Sequence, residues 1–210
     1  MPLPHIIDWR NFFEPHFSNQ EEAASFVATC DPELNRDRQE RINRDNTLTL
    51  MMHQTVRLVG YADQTPNLRP WYDPLRLLFL LVCAECVKKL HHRYKDDGQS
   101  KDHVRRFFAD HVADDDKAIL RNGISVQPPD ELTDRQIVDI LYALRCDVVH
   151  EGRFWGFSFA TDDCPILNPN PLAEDGRLVL TVGITFTQLR DIVVRRCINA
   201  MKKEIGRQEA

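Results

Sequence analysis

The chain lacks the run of about 20 apolar residues that a membrane-spanning helix requires. Its longest apolar stretch lies within Leu77–Ala84, bracketed by Arg76 and Glu85, so it reads as a buried core helix. The opening MPLPHIIDWRNFF has no basic region followed by an apolar stretch and a small-residue cleavage site. A signal peptide is therefore not expected, and a cytoplasmic protein is. Cysteine is sparse, with six residues at 30, 83, 86, 146, 164 and 197, which excludes a small disulfide scaffold and fits reduced thiols. Repeats and low-complexity tracts are also missing. Positive charge is not in excess, because the net charge is −5, and this excludes a protein coated in basic residues. Two segments run against that average. Residues 88–106 hold seven Lys/Arg against three Asp, and residues 190–207 hold six against Asp191 and Glu204. They are either polyanion-facing surfaces or solvated helix faces.

What is present fits one globular domain. The chain has 210 residues, 42% hydrophobic and 28% charged, enough for a sizeable core. After an irregular start, 19–29 reads as a short helix and 31–46 is too charged to be buried, so 1–46 is expected to be a charged N-terminal extension. Residues 47–61 carry an apolar pattern at helical spacing, the prolines in DQTPNLRPWYDP break the chain, and a long helix is expected over about 73–95. Two shorter helices end near Gly123, and SVQPPDEL reads as a loop. Thr133 opens the next helix, with Gln136 three residues on in a capping-box pattern. The segments FWGFSFAT and RLVLTVGI, rich in aromatic and β-branched residues, read as two strands of a hairpin within 154–184. Thr185 or Thr187 caps a last helix with Leu189, Ile192, Val193, Cys197 or Arg196, Ala200 and Met201 recurring at helical spacing. The expected fold is mainly α, a helical bundle with a small β-hairpin inserted before the C-terminal helix.

The chemistry-bearing stretch is ALRCDVVHEGRF, residues 143–154. On a wheel at about 100° per residue, Ile137, Ile140, Leu141, Leu144 and Val148 form the core-facing stripe. Val138, Tyr142 and Val149 form a second apolar stripe, which implies a second contact with another helix or a partner subunit. Arg145 lies between the stripes, and His150 is about 140° round from it on an ideal helix. Two devices bring them together: fraying of the helix end, or a second copy of the helix. Gly152 suits a left-handed helix end. The helix dipole and Asp147, three residues earlier, favour a cationic His150. A permanently charged Arg that forks onto phosphate oxygens, near a His able to exchange a proton, is the minimum equipment for RNA transesterification without metal or cofactor. The same pair equally makes a salt-bridged Arg and a dipole-stabilising His.

Arg145-Cys-Asp-Val-Val-His150 resembles the R-x(4–6)-H motif of the HEPN superfamily, in its usual setting near the end of an apolar helix. The motif covers about a dozen residues, and the helical context extends the likeness loosely over 73–206. The resemblance implies an all-α bundle that dimerises with both motif helices at the interface. It also implies, for many members, a metal-independent endoribonuclease in toxin–antitoxin, anti-phage or RNA-processing settings, with an antitoxin or regulatory protein as a further partner. Arg145 would contact the scissile phosphate, His150 would transfer the proton and Asp147 would assist. Other members are non-catalytic modules that bind RNA, a nucleotide or a protein. The chain departs from the family pattern twice. The residue after Arg145 is Cys146, with the polar Asp147 one later, and Gly152 stands where some members carry a modifiable Tyr.

Other constellations point elsewhere. Cys83-x2-Cys86 with His91, His92 and His103 lacks a second well-spaced pair and lies in the most apolar helix, so zinc is not expected. Glu85, inside that helix, either pairs with an Arg such as Arg145 or sits at an exposed edge. Asp114, Asp115 and Asp116 fall where a helix N-terminus favours negative charge. Trp155, Phe157 and Phe159 alternate as on a strand face, to stack bases or to cover a core.

Overall fold

A helix with apolar residues on every side must be surrounded, and residues Asp73–His91 (α4) are such a helix. Leu77, Leu80, Leu81, Cys83, Ala84 and Val87 are all buried within it. In this computed structural model the described residues are 4–31, 47–68, 72–93, 98–110, 113–127, 131–153, 156–161, 164–172 and 179–208. Around α4 stand Thr47–Leu68 (α3), Ser100–Asp110 (α5), Asp134–Glu151 (α7) and Phe186–Gln208 (α8), each packed directly on it. Asp114–Gly123 (α6) joins α7. The protein is mainly α, and among the described residues no helix is long and apolar enough to cross a membrane.

The N-terminal segment contributes more than a charged extension. Pro4–Phe13 (α1) and Gln20–Cys30 (α2) are helices, and Trp9, Phe13, Phe26, Val27 and Cys30 belong to the main core. Phe13 and Phe26 meet edge to face with centroids 5.5 Å apart. The charged stretch 32–46 lies outside the described residues. Helix α3 runs on through Pro66 to Leu68, past the expected break. A proline in a last turn forfeits one backbone bond, and the buried Ala62 and Thr65 beneath it anchor the turn.

The caps follow the sequence. Thr133 Oγ1 accepts from Gln136 N at 3.3 Å while Gln136 Oε1 accepts from Thr133 N at 2.9 Å. Thr185 and Gln188 make the same reciprocal pair at the start of α8, at 3.2 and 2.8 Å. Deeper in α8 the fully buried Arg196 approaches Asp116 of α6 at 3.5 Å, and Arg195 reaches the same carboxylate at 2.7 Å. One of the three acidic residues at the α6 N-terminus thus anchors α8.

The small sheet differs from expectation in its strands. Ile124–Gln127 (β1), Ile166–Pro169 (β2) and Val179–Val182 (β3) form an antiparallel sheet in the order β1-β3-β2. The β2–β3 hairpin does precede α8, but its first strand is drawn from the turn-rich segment, and β1 comes from what reads as a loop. Residues 157–160 are in no strand, and Trp155 lies outside the described residues. Phe157 and Phe159 alternate with polar residues because both rings enter the core, 4.9 Å apart. Their backbone is satisfied without a neighbouring strand: Phe159 N donates to Asp73 Oδ2 at 3.0 Å, Ser158 N to Asn168 Oδ1 at 2.7 Å and Ala160 N to Ile184 O at 3.0 Å.

Gly123 ends α6 against this sheet. A Cβ there would stand 2.2 Å from Ile184 Cγ2 and 2.9 Å from Ile184 Cβ, in a buried contact that cannot yield cheaply. Gly123→Ala is expected to destabilise the protein by about 1–3 kcal/mol. Gly60→Ala, at an open position in the middle of α3, is expected to stabilise it by about 0.5–1 kcal/mol. Urea unfolding of the two variants beside the wild type checks the contrast.

Candidate functional site

Helix α7 positions the Arg145–His150 stretch. Its inner stripe, Ile137, Ile140, Leu141, Leu144 and Val148, is buried on the core as the wheel requires. The second stripe divides. Val138 is buried against its own chain, Tyr142 is half-buried, and Val149 is 47% exposed. Only the C-terminal part of that stripe is open to a further contact. On α4, Phe79, Val82 and Cys86 are half-buried at the core's edge, and Phe79 meets Tyr61 of α3 at 5.7 Å between centroids.

The helix end is regular. Gly152 adopts φ 63°, ψ 23°, and both Gly152 N and Arg153 N turn back to the Asp147 carbonyl, the latter at 3.1 Å. This left-handed closure satisfies the last turn's carbonyls and keeps α7 helical through Glu151, so fraying does not swing His150 round. Arg145 turns inward: its side chain is 15% exposed and Nη2 lies 3.5 Å from Glu85 Oε2 on α4. His150 is exposed, and among the described residues no hydrogen bond or ion pair holds it. Asp147 is half-buried. Within one chain, therefore, Arg145 and His150 share a rigid helix end but address different surroundings.

Glu85 is the residue that organises Arg145. Its Oε1 accepts from Ser100 Oγ at 2.6 Å and lies 2.7 Å from Lys89 Nζ, while Oε2 faces Arg145. Burial pushes this carboxyl's pKa up, but the hydrogen bonds from Lys89 and Ser100 and the charges of Lys89 and Arg145 outweigh it, and the pKa lies below the ordinary value. The Arg145 guanidinium also stands 5.4 Å over the Tyr142 ring, where the π face favours a cation. Among the described residues the long contact to Glu85 is the guanidinium's one hydrogen bond, so most of its N–H groups have no protein acceptor and suit a planar anion.

Sequence reasoning reached Glu85 through its burial in an apolar helix, and the Glu85–Lys89 spacing of four residues is visible in the chain. Ser100 carried no such signal, because it arrives from α5 across an intervening turn. Of the cysteines, Cys83 faces Cys197 of α8, with the sulfurs 3.8 Å apart. Among the described residues no group of three or more His, Cys, Asp or Glu is arranged to hold a metal. Compared with family models, with curated proteins and with solved structures, the chain matches none.

The Glu85 cluster makes a pH-dependent contribution whose sign follows from the lowered pKa. A carboxyl more acidic in the folded chain than in the unfolded one adds stability above its unfolded pKa, near 4.5, and loses it as pH falls through the lower folded value. Glu85→Gln is expected to flatten the fall in unfolding free energy below about pH 5. Urea midpoints for wild type and variant across that range measure it, and parallel curves would refute the assignment.

Proposed function

We propose that this protein is a metal-independent endoribonuclease of the HEPN type, acting in the cytoplasm as a homodimer whose site is shared between two motif helices. The observation that carries the reading is the state of Arg145. Its guanidinium is set on a rigid helix by Glu85 and Tyr142 with most of its donors unspent, five residues before an exposed His150. The exposed Val149 and the half-buried Tyr142 supply the apolar patch on which a second copy of α7 would lie. That copy would deliver its His150 to the first copy's Arg145, which one ideal helix does not do.

In this reading Arg145 forks onto the scissile phosphate and stabilises charge developing on its oxygens. His150 takes the proton of the RNA 2′-hydroxyl, and the 2′-oxygen attacks the adjacent phosphorus. The bond from phosphorus to the 5′-oxygen breaks, and that oxygen leaves with the proton that the imidazolium of the same His150 returns. The products are a 2′,3′-cyclic phosphate and a 5′-hydroxyl, and no redox partner or metal enters. In this reading Asp147, three residues before His150 on the same helix, assists the proton transfer.

Purified protein incubated with single-stranded RNA in EDTA is expected to release fragments with cyclic phosphate ends. Arg145→Ala and His150→Ala should each lower the rate by about 100-fold or more. Mixing the two inactive variants should restore part of the activity, because in a mixed dimer one shared site regains both groups. Cleavage that both variants retain would sink the proposal. Absence of cleavage by the wild type, with RNA still bound in a gel shift, would make the protein a non-catalytic binding module. Val149→Glu is expected to shift the protein from dimer to monomer in sedimentation, with its helical circular dichroism unchanged.

A further inference from the structure

At the other end of α7 a cleft of about 480 Å³ opens between α5, α6 and α7. Its apolar side is formed by Phe108, Leu120, Ile137 and Val138. That accounts for Val138, an apolar residue outside the main stripe of α7, without a partner subunit. Around these lie Arg105, Arg106, Lys117 and Arg135, against the two carboxylates Asp102 and Asp134.

The carboxylates at this cleft are already ion-paired. Asp134 is held at both oxygens by Arg121, at 2.6 and 2.7 Å. Arg105 takes both oxygens of Asp139 at 2.7 Å and also reaches Asp102 at 3.1 Å. These pairs account for Arg105 and leave Lys117 and Arg135 as the cations that an anion in the cleft would meet. Lys117 pairs with Asp114, at 3.3 Å, an exposed pair three residues apart that is worth little and readily exchanged. No ion pair holds Arg135 among the described residues. A positive surplus over an apolar floor is an unusual feature on a chain of net charge −5, and the volume falls in the range of small-molecule sites.

We infer that this cleft binds a small amphipathic anion, with an apolar or aromatic body on Phe108, Leu120 and Val138 and a phosphate or carboxylate met by Arg135 and Lys117. Bidentate recognition of a planar or tetrahedral anion is what an uncommitted guanidinium does best. The apolar body supplies the affinity that an exposed charge pair in water lacks. The site does not depend on the ribonuclease reading. It lies roughly 18–24 Å along α7 from His150, at 1.5 Å per residue, and uses none of the groups placed there.

The test titrates the full chain by calorimetry with adenosine 5′-monophosphate, octanoate, adenosine and inorganic phosphate. Binding of the nucleotide or of octanoate is expected, and which of the two binds identifies the body and the anion. Adenosine and phosphate, each engaging half of the site, should bind at least about tenfold more weakly than the complete ligand. Arg135→Glu, at an exposed position, should weaken binding about tenfold or more, and Ala109→Trp, on the lining, should block it. Circular dichroism confirms that each variant is folded, and Arg135→Glu alone decides the matter if the tryptophan is not tolerated. No binding by any probe at millimolar concentration, or binding that Arg135→Glu leaves unchanged, overturns the inference.

Discussion

The absence of a polar face on α4 is the constraint on which the rest of the molecule depends. Its leucines, cysteines, alanine and valine leave no direction in which the helix can meet water at low cost, so α3, α5, α7 and α8 all pack on it. Each of those helices needs only one apolar stripe, although Arg145 of α7 turns inward and Arg196 and Glu204 of α8 are fully buried. The basic surplus read in 88–106 is largely spent on this assembly. Lys88 pairs with Asp110, Lys89 with Glu85, and Arg105 with Asp139. In 190–207, Arg190 meets Asp63 and Arg195 meets Asp116. Apart from the Lys89–Glu85 pair within α4, those charges act as joints between helices, while Arg135 and Lys117 stand at the cleft of α5, α6 and α7.

Within that arrangement a carboxylate on α4 is costly unless it is paired. Glu85 meets the requirement by drawing Lys89, Ser100 and Arg145 to one point, and so joins α4, α5 and α7 beside the motif. The same contact gives Arg145 a fixed position without exhausting its donors. A partly satisfied guanidinium at the edge of a core is well placed to recognise an anion, because reorganising it on binding costs little.

How far the sequence could be read depended on whether a signal was local. The capping box of Thr133 and Gln136, the end of α7 at Gly152, the inner stripe of α7 and the burial of 77–84 each arise from residues within a few positions of one another, and each is found as expected. The strands were harder. Phe157 and Phe159 mimic strand alternation although their backbone bonds to Asp73, Asn168 and Ile184, whereas Ile166–Pro169 pairs with Val179–Val182 despite its turn-forming surroundings. The helix over residues 4–13 was missed because its anchors, Trp9 and Phe13, gain their burial from α2 and α3 rather than from any regular stripe.

The sequence by itself determined a helical protein, the apolar character of α4, the helix that carries Arg145 and His150, and the glycine that ends it. Helical periodicity and capping act over a single turn, and both are written in neighbouring residues. Tertiary structure decided the partners. It gave Arg145 to Glu85 while leaving His150 in solvent, turned Val138 inward to its own chain, and set Arg135 and Lys117 over an apolar floor. Those outcomes depend on which helix faces land beside one another, and residues 60 positions apart in the chain, such as Glu85 and Arg145, carry no local mark of their meeting.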